Sequence, residues 1–544
     1  MNGFESSLSH FNNLSLTRIH YWSSDWGSEW QPHCVNATSN VEIAVTSGRS
    51  SKGYHPFIIV EDGERAYFLA VAWSGNWRIT TICGSKTLKI HVDSDCNDLQ
   101  VITSFVESGG IDKCTKDFIS KFRSINSSGK PKLLTEWNSW WPYEDIEINE
   151  EVFVSNAVIA KKAGIEVALL DAGWFGPSQI ESHWHDVRGD WGQRNTERFP
   201  SGLSHIAQNI RNLGMEFGIW LEIEAIGKKA EILIEHPDFM AQYDGSDLGY
   251  LCLANPKALT WAENVSQNLI EECNAAWIKM DFNIDPGPGC NRNDHGHPSL
   301  LGLNNHLLAL YQLLDSIKLK NPDLIVENCS SGGLRWDLAM AQHVDFGFSS
   351  DTDWPEHALS CFWASSLFFP VEKLLGWCDS QWRGEHPNQS FNAIESSDSD
   401  LEFALSIALL GGFGISARLP DFSIGKQIIL QEYVSIYKEE FRPRFQSNAF
   451  VKHLTSQPEL YSQGCRSIAF AIEADAFNPI VIIYQLDHKN LLHTIEYTPP
   501  SSLAHYKIIN ARNGEVLCES HQGIFIFINV LAENTSLILL FEEI

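Results

Sequence analysis

Between residues 38 and 125 apolar and polar positions alternate in short runs: "VEIAVTS", "HPFIIVED", "AYFLAVAW", "WRITTI", "KTLKIHV" and "LQVITSFV". Turn formers such as Asp62-Gly63 and Ser74-Gly75-Asn76 separate them. Period-two alternation punctuated in this way predicts antiparallel strands. The polar stretch "RSINSSGKPK" reads as the linker that ends this region. From about residue 132 the pattern changes. Continuous apolar runs now alternate with helix-length amphipathic segments such as 150–164 and 300–319: "KLLTEWNSWW", "IEVALLDAGW", "EFGIWLEIE", "AAWIKMDF", "DLIVENCSS", "VDFGFSSDTD", a weaker "LFFPVEKLLGW", and "LSIALLGGFGIS". Buried strands alternating with helices eight times over predict an α/β fold, a (β/α)8 TIM barrel. After about residue 445 short β runs return, among them "RSIAFAIE", "PIVIIYQL", "GIFIFINVL" and "TSLILLFEE", and predict a second small β domain of sandwich type. The chain thus divides into an N-terminal β-sandwich-like domain over 1–128, a catalytic barrel over 129–440 and a C-terminal β domain over 441–544.

Composition narrows the partners. With 39 Lys+Arg against 68 Asp+Glu the formal net charge is −29, which argues against nucleic acid and anionic membrane surfaces and favours neutral partners. No apolar run reaches the roughly 18 residues needed to span a bilayer. The twelve cysteines are scattered, without C-x-x-C or a zinc-finger spacing. Scattered thiols and a start lacking an apolar signal core fit a reduced, cytoplasmic location. Nineteen tryptophans supply either core packing or flat surfaces on which sugars stack.

Acidic residues gather at one place in the barrel pattern. Asp171 ends the second strand, Glu222 and Glu224 the third, and Asp281 the fourth. Glu327 lies late in the fifth, and Asp351 and Asp353 end the sixth. The C-terminal strand ends of such a barrel converge on the active site. One acid there is usually a loop partner; acids on five successive strands form a ring that calls for chemistry. Two carboxylates flanking one bond, with aromatic walls, is the requirement of glycoside hydrolysis. A metal-dependent hydrolase is the competing reading, since "SHWHD" offers His183 and His185 and "NDHGHPS" offers His295 and His297. Both pairs fall in predicted loops and lack a third ligand at matched depth, so they read as solvated loop histidines. Neither metal nor cofactor is expected.

These motifs resemble those of the α-galactosidases of glycoside hydrolase family 36, the melibiase type. "NSWW", "LLDAGWFG", "GDWGQRNTERFPSGL", "GIWLEIEAI" with "HPDF", "WIKMDFN", "DLIVENCSSGGLRWD" and "SSDTD" follow one another in the family's order across roughly residues 130–360. The resemblance implies that Asp281 is the nucleophile and Asp351 the general acid/base. It implies sugar contacts for Asp171, Trp191, Lys279 and Cys329, with Trp174, Trp140, Asn283, Gly332 and Glu222 as further pocket candidates. Lys279 shares a strand face with Asp281 and is expected to stabilise its carboxylate. Asp353 shares a face with Asp351 and could equally hold a substrate hydroxyl. The implied activity is a retaining exo-α-glycosidase acting on an oligosaccharide or glycoside, with the two carboxyl groups about 5–5.5 Å apart. Transglycosylation and a non-catalytic sugar-binding barrel are the alternatives. Homo-oligomerisation stays open.

The sequence also departs from the family pattern. Ala172 stands where a second aspartate is usual, Cys252 replaces an acid, and Ile284 replaces an arginine after "DFN". A retained catalytic pair beside an altered sugar-gripping set implies a changed specificity: a substituted galactose, a different α-linked sugar, or galactose held by other loops. The loop "PGPGCNRNDHGHPS" (286–299) is the candidate for the replacement contacts.

Overall fold

The structure is a computed structural model. It describes residues 3–544 except 12, 85–86, 127–130, 178–183, 353, 381–390, 459–466, 487–493, 501–502, 504, 522–524, 529–530 and 533. Asp353 and His183 therefore lie outside the described residues.

Eight short parallel strands form the central sheet: β1 (Glu136–Asn138), β2 (Val167–Leu170), β3 (Glu216–Leu221), β4 (Trp277–Met280), β5 (Ile325–Asn328), β6 (Phe346–Gly347), β7 (Leu375–Asp379) and β8 (Gly412–Ser416). Their order is β6-β5-β4-β3-β2-β1-β8-β7, a ring nearly closed, since β6 and β7 share no ladder among the described residues. Nearly every residue of these strands is buried, as expected where helices cover one face and side chains fill the other. Neighbouring strands pair in parallel register; Ile219 sits beside Ile278, and Ile278 beside Val326. The helices follow apolar periodicity. Gly302–Lys320 buries Leu303, Leu307, Leu310, Leu314 and Ile317 on one face. Pro256–Cys273 begins where the Asn255 side chain accepts from Lys257 N–H, and ends at Asn274 in the left-handed conformation.

By compactness the chain divides into two units. One comprises Met1–Phe118, Trp137–Val158 and Glu166–Asp351; the other comprises Ile119–Glu136, Ile159–Ile165 and Thr352–Ile544. The first contains two antiparallel sheets, one of four strands and one of six, that begin at Gly3, well before the alternation legible from residue 38. The stretch after residue 107, placed in the β region by its neighbours, forms the helix Gly110–Ile125, because Cys114, Phe118, Ile119 and Phe122 recur at helical spacing and are buried. The second unit carries the six-stranded antiparallel sheet of the C-terminal region, running from Phe450–His453 to Thr535–Glu543. Among the described residues no helix is long and apolar enough to cross a membrane.

Candidate functional site

At the end of β4 the backbone leaves the barrel at Asp281, whose N–H still donates to Leu221 O of β3 (3.0 Å). Three donors fix its carboxylate: Phe282 N–H on Oδ1 (2.8 Å), and Asn283 Nδ2 (2.8 Å) and Trp220 Nε1 (3.2 Å) on Oδ2. Asn283 is itself held, its Oδ1 accepting from Ser331 Oγ (2.7 Å) and its N–H donating to Glu222 (2.6 Å). The carboxylate is half-buried, so one side remains open to a ligand.

Asp351, just beyond β6, is the second half-buried acid. Its carboxyl is pushed up to about 7, first by burial and then by the charge of Asp281, against the pull of Lys279 and an indole N–H. That indole belongs to Trp26, whose Nε1 donates to Oδ2 (3.1 Å). Trp26 lies in the loop between the N-terminal strands Arg18–Ser24 and Gln31–Asn36. The same loop delivers Glu29, fully buried, which accepts from Ser350 Oγ (2.5 Å) and is pushed up to about 8, chiefly by burial and further by Asp351. Gly332 has φ +72°, and a Cβ there would lie 2.6 Å from Asp351 N; only glycine lets this loop pass under the acid.

Lys279 and Asp171 act electrostatically on Asp351, and Lys279 also interacts with Asp281. The ammonium donates to Asp171 Oδ2 (3.2 Å). Burial opposes its charge, but Asp171, Glu327 and Asp281 together with the Cys329 sulfur outweigh this and hold it well above the usual lysine range. Lys279 interacts electrostatically with Asp281, as its shared strand face implies, but its direct hydrogen bond goes to Asp171 at the end of β2, two strands away. Asp171 also accepts from Asn138 Nδ2 (3.0 Å) and from Ala172 N–H (2.9 Å). Cys329 is buried below, its thiol raised well above the ordinary value by burial and by Asp281 and Asp351.

The remaining acids have partners that explain them. Glu224 accepts two bonds from Arg335 (2.7 and 3.0 Å) and lies 2.9 Å from His306 Nε2; burial opposes its charge, yet these cations hold it down at about 2. Glu222 meets Arg188 (3.0 Å), but burial dominates and pushes it up to about 7. Glu327 accepts from Trp277 Nε1 (2.9 Å) and is likewise raised to about 7, foremost by burial. Asp337 accepts from Ser50 Oγ and from the N–H groups of Ala339 and Met340, shaping the turn.

Aromatic residues gather around Trp220, the indole that donates to Asp281. Trp140 meets Trp184 edge-on (5.7 Å), and Trp184 meets Trp220 (5.6 Å). Trp174 is fully buried beneath them, donating to Trp220 O (3.0 Å). Trp191 is 2% exposed, and its Nε1 has no hydrogen-bond partner among the described residues. His185 is exposed beside Asp186, as a solvated loop residue should be. His295 and His297 are not: both are buried, which corrects that expectation for the second pair.

Sequence pattern missed the N-terminal contributors altogether. Besides Trp26 and Glu29, buried Arg49 reaches Asp285 (2.6 Å) and Ser331 Oγ (3.0 Å), tying the loops after β4 and β5 together. The only signal was chemical: "DWGSEW" and "SGRSS" place charges and indoles inside apolar β regions.

Fold and side chains together define a (β/α)8 barrel with an acid-rich, indole-lined site at its strand ends. A family model described as Melibiase matches residues 100–446, and the chain belongs to that family. It is similar to α-galactosidase Mel36A of Lactobacillus acidophilus, 25% identical over 422 residues that make up 72% of this chain and 56% of that protein. It is also similar to α-galactosidase AgaA of Geobacillus stearothermophilus, 24% identical over 57% of this chain and 41% of AgaA. The chain thus spans about half the length of the curated relatives it matches. Among solved structures, the α-galactosidase of Lactobacillus brevis superposes with a TM-score of 0.83 at 19% identity, covering 99% of this chain and 75% of that one. A substituted AgaA in complex with raffinose gives 0.84 at 18% identity, covering 99% and 76%. At these identities the likeness is one of fold.

Proposed function

We propose that the protein is a retaining exo-α-glycosidase that releases terminal α-linked galactose, or a modified galactose, from oligosaccharides. The observation that carries the reading is the pairing of an open, donor-fixed carboxylate with an acid raised to about 7, first by burial and then by that carboxylate's charge. Asp281 attacks the anomeric carbon as the glycosidic bond breaks, and Asp351 gives its proton to the departing oxygen. Asp351, now ionised, then takes a proton from water, which attacks the same carbon and frees Asp281. Net retention follows from two inversions, and requires the carboxyl groups to stand about 5–5.5 Å apart. Lys279, Asp171 and Trp191 offer donors and acceptors to ring hydroxyls, and Cys329 and Gly332 line the floor. Membership in the melibiase family, and relatives named α-galactosidases, one of them in a complex with raffinose, support galactose as the sugar.

Ala172 is buried, with nothing but a methyl where a second carboxylate would meet the sugar. That absence weakens the grip on plain galactose by roughly 1–3 kcal/mol unless another group compensates. A panel of aryl α-glycosides, followed by proton NMR of the first-formed anomer, tests sugar identity and stereochemistry together. Release of the β-anomer first would refute retention; inertness across the panel would favour a sugar-binding barrel. A glycosyl product that appears only with an acceptor sugar would indicate transfer.

A further inference from the structure

Four side chains that the proposed reaction does not use converge where the chain leaves β4. Cys252 follows the strand Ser246–Leu251; Cys290, His295 and His297 come from the segment after Asp281. Their exposures are 0%, 0%, 1% and 5%, so none is a surface thiol or a solvated imidazole. Cys252 Sγ lies 3.4 Å from His297 Nε2, and Cys290 Sγ lies 3.5 Å from His295 Nδ1. One donor atom from each residue falls within 4.8 Å of all the others.

The two Sγ···N distances match the edges of a specific polyhedron. With Zn–S of about 2.3 Å and Zn–N of about 2.0–2.1 Å, a tetrahedral centre has S···N edges of about 3.6 Å. Isolated thiol–imidazole hydrogen bonds would need no common centre. His297 is also set in the metal-binding tautomer: Nδ1 lies 3.0 Å from Pro298 O, so Nδ1 carries the proton and Nε2 presents its lone pair to the cluster. His295 Nε2 is buried without a hydrogen-bond partner among the described residues, so hydrogen bonding does not account for the burial of that nitrogen. Tyr250 and Phe282, with Ile284 at the edge, wall the thiols off from water. The backbone is pressed in to match, since a Cβ on Gly302 would lie 1.7 Å from Cys290 O.

We propose that Cys252, Cys290, His295 and His297 form a structural zinc site that pins the loop following the Asp281 strand. Zinc binds the two cysteines as thiolates and the two histidines as neutral rings, so loading releases two thiol protons and changes no oxidation state. Four protein ligands complete the tetrahedron and leave no open position for water or sugar, which makes the site a clamp and not a catalytic centre. The loop 286–299 then serves the barrel by fixing its own course, and its histidines are not the replacement sugar contacts. The site stands whether or not the glycosidase reading does.

The test is metal analysis of the full chain purified under reducing conditions without chelator. About one zinc per chain is expected. Cys252→Ala and His297→Ala should each lower zinc content at least tenfold, whereas Cys34→Ser, at an exposed thiol, should leave it unchanged. Exchange of the wild-type protein with cobalt(II) should give the intense ligand-field and thiolate charge-transfer bands of a tetrahedral S2N2 centre. That measurement also decides the matter if the alanine variants fail to fold. No retained metal together with a featureless cobalt titration, or a weak octahedral spectrum, would overturn the proposal; so would full zinc content in both alanine variants.

Discussion

Trp26→Phe isolates the contribution of one donor to the proton on Asp351. The substitution keeps an aromatic face but removes the Nε1–H that bonds Oδ2 at 3.1 Å. A donor to the ionised form favours ionisation, so its loss raises the acid's pKa from about 7. A sheltered hydrogen bond to a charged group contributes about 1.5–3 kcal/mol. Trp26 is 43% exposed, and water competes for the vacated position, so roughly a third of that range, about 0.7 kcal/mol, is retained. At about 1.36 kcal/mol per unit this is a rise of about half a unit. The general acid must be protonated to act, so kcat/KM falls as pH rises through its pKa. In the variant that alkaline limb should move upward by about 0.5, leaving roughly 2.5 times more of the active form at pH 8 relative to the optimum. The assay is kcat/KM against pH on a slow aryl glycoside, with Trp184→Phe as a control that changes an aromatic wall without touching Asp351. An unmoved limb would break the link between Trp26 and the acid, and a downward shift would invert the assigned polarity.

Other consequences follow from the same coordinates. Asp281→Gly should lower turnover by roughly 10³-fold or more, with partial rescue by azide, because an external anion fits where the carboxylate stood; near-normal turnover would remove Asp281 from its role. Gly332→Ala forces a side chain into φ +72° and onto Asp351 N, and should cost about 1–2 kcal/mol in urea unfolding as well as activity. Arg335→Met leaves Glu224 buried with His306 alone, so a loss of about 3–5 kcal/mol is expected, and one below about 1 would contradict the pairing. For pH and stability the signs oppose each other. Glu29, Glu222, Glu327 and Asp351 have folded values raised to about 7–8, so the stability they contribute is full below their unfolded values and is lost as pH rises through 7–8; Glu224, held at about 2, contributes above its unfolded value and loses this as pH falls toward 2. Thermal midpoints should therefore peak in mildly acidic buffer and drop by pH 8, and Glu29→Gln should flatten the alkaline drop.

What the sequence disclosed, and what it concealed, divides along contact order. The barrel was legible because each strand and its following helix carry their own period, and because acids at strand ends interrupt apolar runs at Asp171, Asp281 and Asp351. Strand β6 shrank to Phe346–Gly347 and β7 moved to Leu375–Asp379, since buried parallel strands are too short for a run of apolar residues to mark their limits. The partner of Lys279 was illegible because strand periodicity gives a side chain's face, not which other strand's acid it reaches across the barrel. The Cys/His cluster hid for a similar reason: Cys252 is far from Cys290 in sequence, and a search for close-spaced ligands passes over it.

The contacts to Asp351 bear on what counts as the functional unit. Asp351 Oδ2 accepts from Trp26, Ser350 donates to Glu29, and Arg49 bridges the loops after β4 and β5, while Ser51 Oγ donates to Gly333 O (2.7 Å). All of these residues fall in the same compact unit as Asp281. The antiparallel sheets are thus not a separable neighbour of the barrel: their loops supply part of the acid's environment and hold the glycine turn beneath it. Removing them would take away a donor to Asp351 and a buried acid beside it, and would expose Arg49's partner Asp285 alone. The proton on which the proposed chemistry turns is set jointly by a barrel strand and by a hairpin loop more than three hundred residues away in the chain.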